Sequence, residues 1–368
     1  MTKKDLTAQE SYEYVSGQHG GYWRHDFIDH NYLYNLYFPP EDFFHHLTSH
    51  IHQLVLSYPV GQQELASLVG ELIDQPPERI VVGNGAAELI KIIAGLGRKL
   101  IVPVPSFNEY ANVMPAGQVV EFALKAPSFE LDVDKFAAEA IRTEARLAVI
   151  VSPNNPTSLL VPKAQLIRLA DTLANHDCLL IVDESFIDFA ANRDQETLEP
   201  EIDQHPNLAI FKSMSKAYSI CGIRIGYMLT ANTDFAARIR QGLHIWNLNG
   251  FAEEFLRLAP RYRQAFTASC NRVKADRDHF YEQLQTIPDL IVYKPEANYI
   301  FCRLPDHGAS GPEITEQLFV KHNIYIKHCQ GKTMPESDRY LRIASRTQPE
   351  NMSLVGALTD LVAQERIS

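Results

Sequence analysis

The sequence predicts an α/β protein whose large domain holds a mostly parallel sheet with helices on both faces, followed by a smaller α+β domain. Two observations carry this prediction. Between about residues 80 and 230, short apolar strands alternate with amphipathic helices, as is typical of a parallel sheet buried on both faces. After about residue 250, long helical segments lead into "LIVYKPEANYIFCRL" and "YLRIASR", which favour a second unit of mixed helices and strands.

The N-terminal segment differs in composition from the rest of the chain. Residues 1–40 are rich in aromatic residues and histidines, as in "HGGYWRHDFIDHNYLYNLYFPP", and show little helical period. We therefore predict an arm over 1–40 that lies against the rest of the protein or against a partner subunit. Helical spacing of apolar residues predicts one helix over 41–58, ending before Pro59, and a second over 61–73. The large domain is expected at 41–248 and the small one at 249–368.

Strands and helices alternate through the rest of the large domain. The predicted strands are "RIVVGNG", "KLIVPVPSF", "ARLAVIVSPNNPTS", "CLLIVDESF", "NLAIFKSMSK" and "GIRIGYML". The predicted helices between them include "AAELIKIIAGL" and "AQLIRLADTLANH", in which the apolar residues have helical spacing. Because no glycine- or proline-rich linker separates the two domains, we expect them to pack closely.

Composition argues against several classes of function. The chain has 368 residues and a formal net charge of −11, whereas nucleic-acid-binding proteins concentrate Lys and Arg. No apolar run approaches the roughly 18 residues of a transmembrane helix, and "MTKKDLTAQESYEY" lacks the apolar core of a secretory signal. The five cysteines are scattered without a CxxC pair. We therefore expect no nucleic-acid or membrane partner, no metal site, no disulfide framework and a cytoplasmic location.

Polar residues stand at the ends of the predicted strands, where ligands bind in open α/β sheets. Lys216 is either a surface lysine or, if held away from water, a nucleophile that can form a Schiff base with a carbonyl. Asp183 is either a turn residue or the counter-ion of a pyridinium nitrogen. Arg224, inside the predicted strand "GIRIGY", is either a structural ion-pair partner or a phosphate ligand together with Ser213 and Ser215.

The segment "GNGAAE" adds small residues where a strand turns into a helix, so that backbone N–H groups can face an anion. A lysine, an acidic residue, a phosphate cradle and a flat aromatic neighbour, occurring together in an α/β chain, describe a pocket for pyridoxal 5'-phosphate (PLP). No GxGxxG follows an early strand, which argues against a dinucleotide-dependent dehydrogenase.

The ordered set "GNGAAE", "SPNNPT", "VDESFIDF" and "SMSKAYSICGIRIGY" resembles the class I/II aminotransferase superfamily of fold-type I PLP enzymes over essentially the whole chain. Within it, the sequence is most similar to the histidinol-phosphate aminotransferase branch, which includes threonine-phosphate decarboxylase. The resemblance implies PLP as cofactor, a PLP-binding large domain, an arm over the active site, and a homodimer with shared active sites.

The resemblance also implies roles for individual residues. Lys216 would bond covalently to the cofactor and Asp183 would pair with its ring nitrogen, as the catalytic residues. Further cofactor contacts would come from Gly85 and Ala86 (backbone amides), Phe107 (ring stacking), Asn155 (phenolic oxygen), Ser213, Ser215 and Arg224 (phosphate), and Tyr58, reaching across to the partner subunit's cofactor. The implied substrate ligands are His19, Gly20, Asn31, Lys327, Arg342 and Arg346, with Arg342 on the α-carboxylate.

Two segments favour the decarboxylase side of this branch. "HGG" at 19–21 and the ending "RIASR" resemble threonine-phosphate decarboxylase. The leading prediction is PLP-dependent decarboxylation of a phosphorylated hydroxyamino acid, of the phosphoserine or phosphothreonine type, to a phospho-amino-alcohol. The alternative is an aminotransferase for a small phosphorylated substrate. A PLP-binding protein with little catalysis of its own is a third hypothesis, against which the intact set of Lys216, Asp183, Asn155 and Arg224 argues.

The sequence also departs from that branch. The arm reads "DFIDHNYLYN", so that Asn31 is the nearest candidate for a substrate-side asparagine. Lys327 stands where an arginine is expected, and Ser158 replaces the usual glycine in "SPNNPTS". The arm and Lys327 would face the substrate, so these changes predict a substrate other than threonine phosphate, such as phosphoserine or a phosphorylated keto compound undergoing amination.

Overall fold

A seven-stranded sheet forms the centre of the computed structural model, which describes residues 6–364. The strands of this and the smaller sheets are β1 Ile28–Asp29, β2 Ile80–Asn84, β3 Leu100–Val104, β4 Val119–Ala123, β5 Leu147–Val151, β6 Leu179–Asp183, β7 Leu208–Ser213, β8 Ile225–Thr230, β9 Ile291–Val292, β10 Tyr299–Arg303, β11 Ile324–Tyr325, β12 Lys327–His328 and β13 Tyr340–Ala344. The large sheet has the order β2-β8-β7-β6-β5-β3-β4. β8 runs antiparallel to both neighbours, whereas the other neighbouring strands are parallel. The predicted mostly parallel sheet is confirmed.

Helices cover both faces of this sheet. The α-helices within residues 6–364 are α1 Ala8–Ser16, α2 Glu41–Ser49, α3 Ile51–Leu56, α4 Gln62–Ile73, α5 Gly85–Ala94, α6 Glu109–Asn112, α7 Val133–Arg142, α8 Lys163–Ala174, α9 Arg193–Glu196, α10 Met214–Ala217, α11 Thr233–Gln241, α12 Gly250–Leu258, α13 Arg263–Leu284, α14 Gly311–His322 and α15 Gln348–Gln364. Successive side chains of a strand point to opposite faces. Ala148 and Ile150 of β5 accordingly belong to a core cluster that includes residues of α4, α7, α8 and α12, whereas Leu147 and Val149 belong to a second cluster that includes residues of α5 and α11.

The polar strand-end segments meet at one edge of the large sheet. β2, β3, β5, β6 and β7 are mutually parallel, so their carboxyl ends lie at the same edge. Because β8 is antiparallel, its first residues lie there too, with Gly226 opposite Ser213. The prediction that Arg224 lies within a strand is wrong: β8 begins at Ile225, and Arg224 precedes it with a left-handed φ of 70°.

The C-terminal part contains a smaller antiparallel sheet of order β12-β13-β10-β9. Apolar residues of α13, α14 and α15 pack against it in a separate core cluster. This confirms a smaller α+β unit after the large sheet. The domain limits at 40 and 248 stay a prediction.

The described part of the arm packs against elements of the C-terminal part of the protein. β1 pairs in parallel with β11, and α1 packs on α14, where the ring centroids of Tyr12 and Phe319 lie 5.7 Å apart. The expectation of little helical period is wrong at α1. A capping box of Thr7 and Glu10 starts this helix, and its contacts come largely from aromatic side chains, which hides the apolar period.

The single helix predicted over 41–58 is also wrong, because α2 and α3 are separated at His50. That residue leaves the helical region, with φ −110° and ψ 10°. Its ring nitrogen Nδ1 lies 2.9 Å from the carbonyl oxygen of His46, the acceptor of its own backbone N–H. The side chain therefore competes with the backbone at the break.

None of the helices within residues 6–364 combines the length and apolar character that crossing a bilayer requires. In the same residues, no group of three or more His, Cys, Asp or Glu side chains is arranged to hold a metal ion.

Candidate active site

A cavity of about 1140 Å³ opens at the edge of the large sheet where the polar segments meet. Its walls come from the arm, from the strand-end loops and from the segment between β11 and α15. The predicted site residues in these walls are His19, Gly20, Asn31, Phe107, Asn155, Ser215, Lys216, Arg224, Lys327, Arg342 and Arg346. The others, outside the walls, are Tyr58, Gly85, Ala86, Asp183 and Ser213. The fold thus joins distant parts of the sequence in one cavity.

Lys216 lies in α10, which begins directly after β7 and so starts at the cavity edge of the sheet. The arm helps to hold it there, because the backbone N–H of Asn35 donates to the Lys216 carbonyl at 3.0 Å. Burial lowers the pKa of the Lys216 ammonium, and the positive charges of Arg224 and Arg342 act in the same direction. A lysine with a lowered pKa supplies the neutral amine that attacks a carbonyl.

Asp183 ends β6 and is buried behind the cavity. Its Oδ1 accepts from the Ser185 backbone N–H at 2.9 Å, and its Oδ2 accepts from the Tyr110 hydroxyl at 2.9 Å. Burial raises the pKa of Asp183, whereas these hydrogen bonds and the charge of Lys216 oppose that rise. Tyr110 was missed in the sequence, although it stands only three positions after Phe107 in "PSFNEY".

Gly85, at the start of α5, leaves space for the side chain of Arg224. Gly85 has a φ of 70°, and a Cβ there would collide with the Arg224 guanidinium. Arg224 Nη1 donates to Ser215 Oγ at 3.2 Å. The Gly85 amide donates to the Arg224 carbonyl at 3.2 Å, which occupies one of the two amides predicted to face an anion. Ser213 is buried, and its amide donates to the Ser185 hydroxyl at 2.9 Å.

Arg342 connects three parts of the chain at the cavity wall. It lies on β13, and its Nη2 donates to the Asn31 carbonyl of the arm at 2.7 Å, while Nη1 donates to Asn155 Oδ1 of the loop after β5 at 3.1 Å. Burial lowers the pKa of Arg342, and its Nε has no hydrogen-bond partner within the described residues. The structure thus brings Arg342, Asn31 and Asn155 together as one hydrogen-bonded group.

Arg346 lines the same cavity, but its charge is already paired. Its Nη2 lies 2.9 Å from Glu350 Oε1 in an ion pair, and its Nη1 donates to the Asp29 carbonyl at 2.8 Å. A substrate anion bound by Arg346, as predicted, would therefore compete with the Glu350 carboxylate. Apart from the spacing of four residues, nothing in the sequence indicated this pairing.

Two lysines add positive charge near Arg342. Lys327 on β12 is exposed and lies opposite Arg342 in the antiparallel register. Lys332, which the sequence did not single out, donates to the Ser106 carbonyl at 2.6 Å and to Asn108 Oδ1 at 2.7 Å. Burial and the charge of Arg342 lower the pKa of Lys332 to about 8.

The remaining predicted residues lie at the surface. Phe107 is partly exposed in the loop after β3, edge-on to Tyr110 with centroids 6.2 Å apart. His19 is exposed at the cavity rim, and Gly20 has a φ of 141°. Tyr58 lies outside the cavity, 78% exposed and stacked on Trp246 at 4.2 Å. Its contact with a partner's cofactor stays a prediction.

Ser158 shows why a serine is useful where a glycine is usual. It is fully buried with a left-handed φ of 61°. Its Oγ accepts from the backbone N–H groups of Glu296 and Ala297, at 3.2 Å and 2.9 Å. The hydroxyl therefore links the loop after β5 to the segment before β10, and in return the backbone adopts a conformation that favours glycine.

These residues fit PLP. Lys216 offers an amine with a lowered pKa, Asp183 offers a buried carboxylate, and the missing Cβ of Gly85 makes room for a guanidinium beside a hydroxyl and the first turn of a helix. A guanidinium and a helix N-terminus both favour a phosphate. The fold and the site together define the fold-type I class of PLP proteins.

The chain belongs to the aminotransferase class I and II family, whose model matches residues 54–358. It is 42% identical over 358 residues to the CMP-5'-(3-aminopropyl)phosphonate synthase of Streptomyces rubellomurinus, covering 97% of this chain but 56% of that protein. The chain thus spans about half the length of this relative. PLP, the cofactor of this family, is the cofactor of the chain.

Two further proteins are similar over most of their length. The L-serine phosphate decarboxylase of Sulfurospirillum multivorans is 29% identical over 323 residues, with 85% of this chain and 81% of that protein covered. The crystal structure of the histidinol-phosphate aminotransferase from Clostridium acetobutylicum has a TM-score of 0.83 and 26% identity, covering 92% of this chain and 99% of that one. The resemblance to the histidinol-phosphate aminotransferase and threonine-phosphate decarboxylase branch is confirmed.

Proposed function

We propose that this protein is a PLP-dependent decarboxylase of a small amino acid that carries a phosphate or phosphonate group. The reaction would cleave the bond from the α-carbon to the carboxylate, release carbon dioxide and place a proton on the α-carbon. From phosphoserine or phosphothreonine the product is a phospho-amino-alcohol.

The observation that carries this proposal is the concentration of positive charge on the substrate side of the cavity. Arg342, Lys327 and Lys332 lie there in addition to the cofactor-side Lys216 and Arg224, although the chain as a whole has a net charge of −11. A single α-carboxylate requires one guanidinium. The two extra lysines therefore favour a substrate with a second anionic group, as a phosphate or phosphonate provides.

Substrate orientation decides which bond at the α-carbon breaks. When bound, PLP supplies a sink for the electrons left at that carbon. Asn31 and Asn155 hold the Arg342 guanidinium from both sides, so Arg342 can fix the direction of the carboxylate, while Lys327 and Lys332 attract the distal anion. Lys216 Nζ is the group placed to move a proton to or from the substrate.

The relatives support the same class of substrate. One is named as an L-serine phosphate decarboxylase, and another as a synthase whose product joins an aminoalkylphosphonate to CMP. We therefore include amino acids whose phosphorus group is linked to a nucleotide in the proposed substrate class. Amino-group transfer to or from a small phosphorylated substrate is the second candidate, supported by the similarity to the histidinol-phosphate aminotransferase.

We also propose that the protein acts as a homodimer with shared active sites. Val55, Leu56, Tyr58, Ile245 and Trp246 are all exposed, from 46% for Trp246 to 81% for Leu56. Exposed apolar side chains in such number favour a protein–protein contact. Sedimentation equilibrium tests this, and a monomer at micromolar concentration would contradict it.

The five cysteines are free, which supports a cytoplasmic location.

The decisive experiment follows both possible products. The PLP-loaded protein is incubated with phosphoserine or phosphothreonine, and carbon dioxide, keto acid and cofactor absorbance are measured together. We expect carbon dioxide in stoichiometric excess over enzyme and no keto acid. Lys216→Ala should abolish release, and Lys125→Ala, at an exposed lysine outside the cavity, should not. Accumulation of pyridoxamine phosphate with keto acid and no carbon dioxide would refute the decarboxylase in favour of the aminotransferase.

A further inference from the structure

We propose that the outer part of the active-site cavity is a nucleobase subsite, in which the indole of Trp23 stacks on the base of a nucleotide joined to the substrate's phosphorus group. This inference rests on the proposed function, because the base would belong to the same substrate whose carboxylate Arg342 binds. It adds a recognition element at the opposite end of that substrate.

The cavity has to hold PLP and the substrate together. Sites for single small molecules typically measure about 300–1,000 Å³, whereas this cavity measures about 1140 Å³. It extends from Lys216 at the sheet edge to Trp23 in the arm. The predicted ligands of the substrate's anionic groups do not include Trp23, so a substrate that ends at its phosphate leaves the Trp23 end of the cavity unexplained.

The arm holds Trp23 in an exposed position by anchoring the residue before it. Tyr22 is buried, stacks on Tyr32 with centroids 4.6 Å apart, and donates to the Gln18 carbonyl at 2.9 Å. Trp23 follows in the same short turn of helix, and its side chain is 80% exposed in the cavity wall. A large ring kept in water forgoes hydrophobic stabilisation, so its place at a ligand cavity points to a contact with the ligand.

The surroundings of Trp23 suit an aromatic ring attached to an anion. The guanidinium of Arg24 lies 4.3 Å from the indole centroid, and no other aromatic ring of residues 6–364 packs against Trp23. One indole face therefore carries a cation and the other can accept a flat ring. His19 and His25 line the same wall. Proteins that bind single-stranded nucleic acid combine stacking rings and positive charge in this way.

The test measures binding of CMP to the PLP-loaded protein by isothermal titration calorimetry, with ribose 5-phosphate as the probe that lacks a base. Trp23→Ala should weaken CMP binding about fivefold to 150-fold, the range that base stacking spans, and leave ribose 5-phosphate binding unchanged. Trp23→Phe should restore most of the affinity. Phe44→Ala removes an exposed aromatic ring outside the cavity and should change nothing.

Fluorescence provides a second readout. The chain has two tryptophans, and CMP should quench the emission of the wild type but not of Trp23→Phe. Equal affinity for CMP and ribose 5-phosphate, or unchanged CMP affinity in Trp23→Ala, would overturn the nucleobase subsite. Neither measurement needs turnover, so carbon dioxide release from phosphoserine by the same preparation separates a failure of the subsite from a failure of the proposed decarboxylation.

Discussion

Tyr110→Phe should weaken the acid–base chemistry of the site without touching the cavity itself. The Tyr110 hydroxyl donates to Asp183 Oδ2 at 2.9 Å, and a hydrogen bond to a charged group contributes about 1.5–3 kcal/mol. One pKa unit corresponds to about 1.4 kcal/mol, so its loss should raise the pKa of Asp183 by about 1–2 units. That pKa is already raised by burial, and the further rise acts in the same direction.

The sign of the pH effect depends on the role of the carboxylate. Asp183 must be ionised to hold a proton on the ring nitrogen of PLP, and a higher pKa keeps it neutral up to a higher pH. The acidic limb of the pH–kcat profile should therefore move up by about 1–2 units. At a pH on that limb, kcat should fall by about tenfold to 100-fold, and ring-nitrogen protonation can be followed by NMR of ¹⁵N-labelled PLP.

The chain offers a matched control in Tyr227→Phe. The Tyr227 hydroxyl donates to the buried carboxylate of Glu199 at 3.1 Å, in a charged cluster with Lys212 that lies away from the active-site cavity. This variant should lose stability to a similar extent and keep the wild-type pH profile. An unshifted acidic limb and an unchanged ring-nitrogen signal in Tyr110→Phe would refute the reasoning.

Three further variants test other parts of the site. Gly85→Ala should lower PLP affinity by about tenfold to 100-fold, because its Cβ displaces the Arg224 guanidinium. The control Gly97→Ala, at a similar φ of 67° with open space around it, should keep the wild-type affinity. Equal losses of affinity in cofactor titrations of the two variants would contradict the role of Gly85. Arg342→Lys should lower kcat/KM by about tenfold to 150-fold, because an ammonium lacks the planar fork; kinetics with phosphoserine would contradict the carboxylate role if kcat/KM were unchanged. In the wild type, KM should rise as pH passes about 8 and Lys332 loses its charge, and Lys332→Met should have a high KM with little of this pH dependence. A wild-type KM that stays flat across that range would argue against Lys332 as an anion ligand.

Much of the site could be predicted from the sequence because polar residues at the ends of apolar strands are visible in one dimension. Lys216 was singled out in this way, whereas Asn155 and Arg342 came from the family resemblance, and all three line one cavity. Arg224 was predicted at the correct edge of the sheet but was assigned to a strand. The left-handed backbone conformation of Arg224, directly before β8, cannot be recognised from the pattern of apolar residues.

The pairings between distant residues could not be predicted. Tyr110 meets Asp183 only because β3 and β6 end at the same edge of the sheet. Glu350 takes up the charge of Arg346, and Lys332 is held by the loop after β3. In each case the local sequence shows a residue type that is common at any surface, and the partner comes from an element elsewhere in the chain.

The sequence by itself determined the fold class, the family and the cofactor. The alternation of strands and helices indicates the fold, and the ordered motifs that resemble the family indicate the cofactor, because both are visible in short local segments. The tertiary structure decided which charges remain free to bind a ligand. Arg346 and Arg342 are four residues apart, yet one is neutralised by Glu350 while the other is held between Asn31 and Asn155 with a guanidinium facing the cavity. Whether a charged side chain is paired depends on its neighbours in space, because electrostatic attraction weakens with the distance between two groups and not with their separation in sequence.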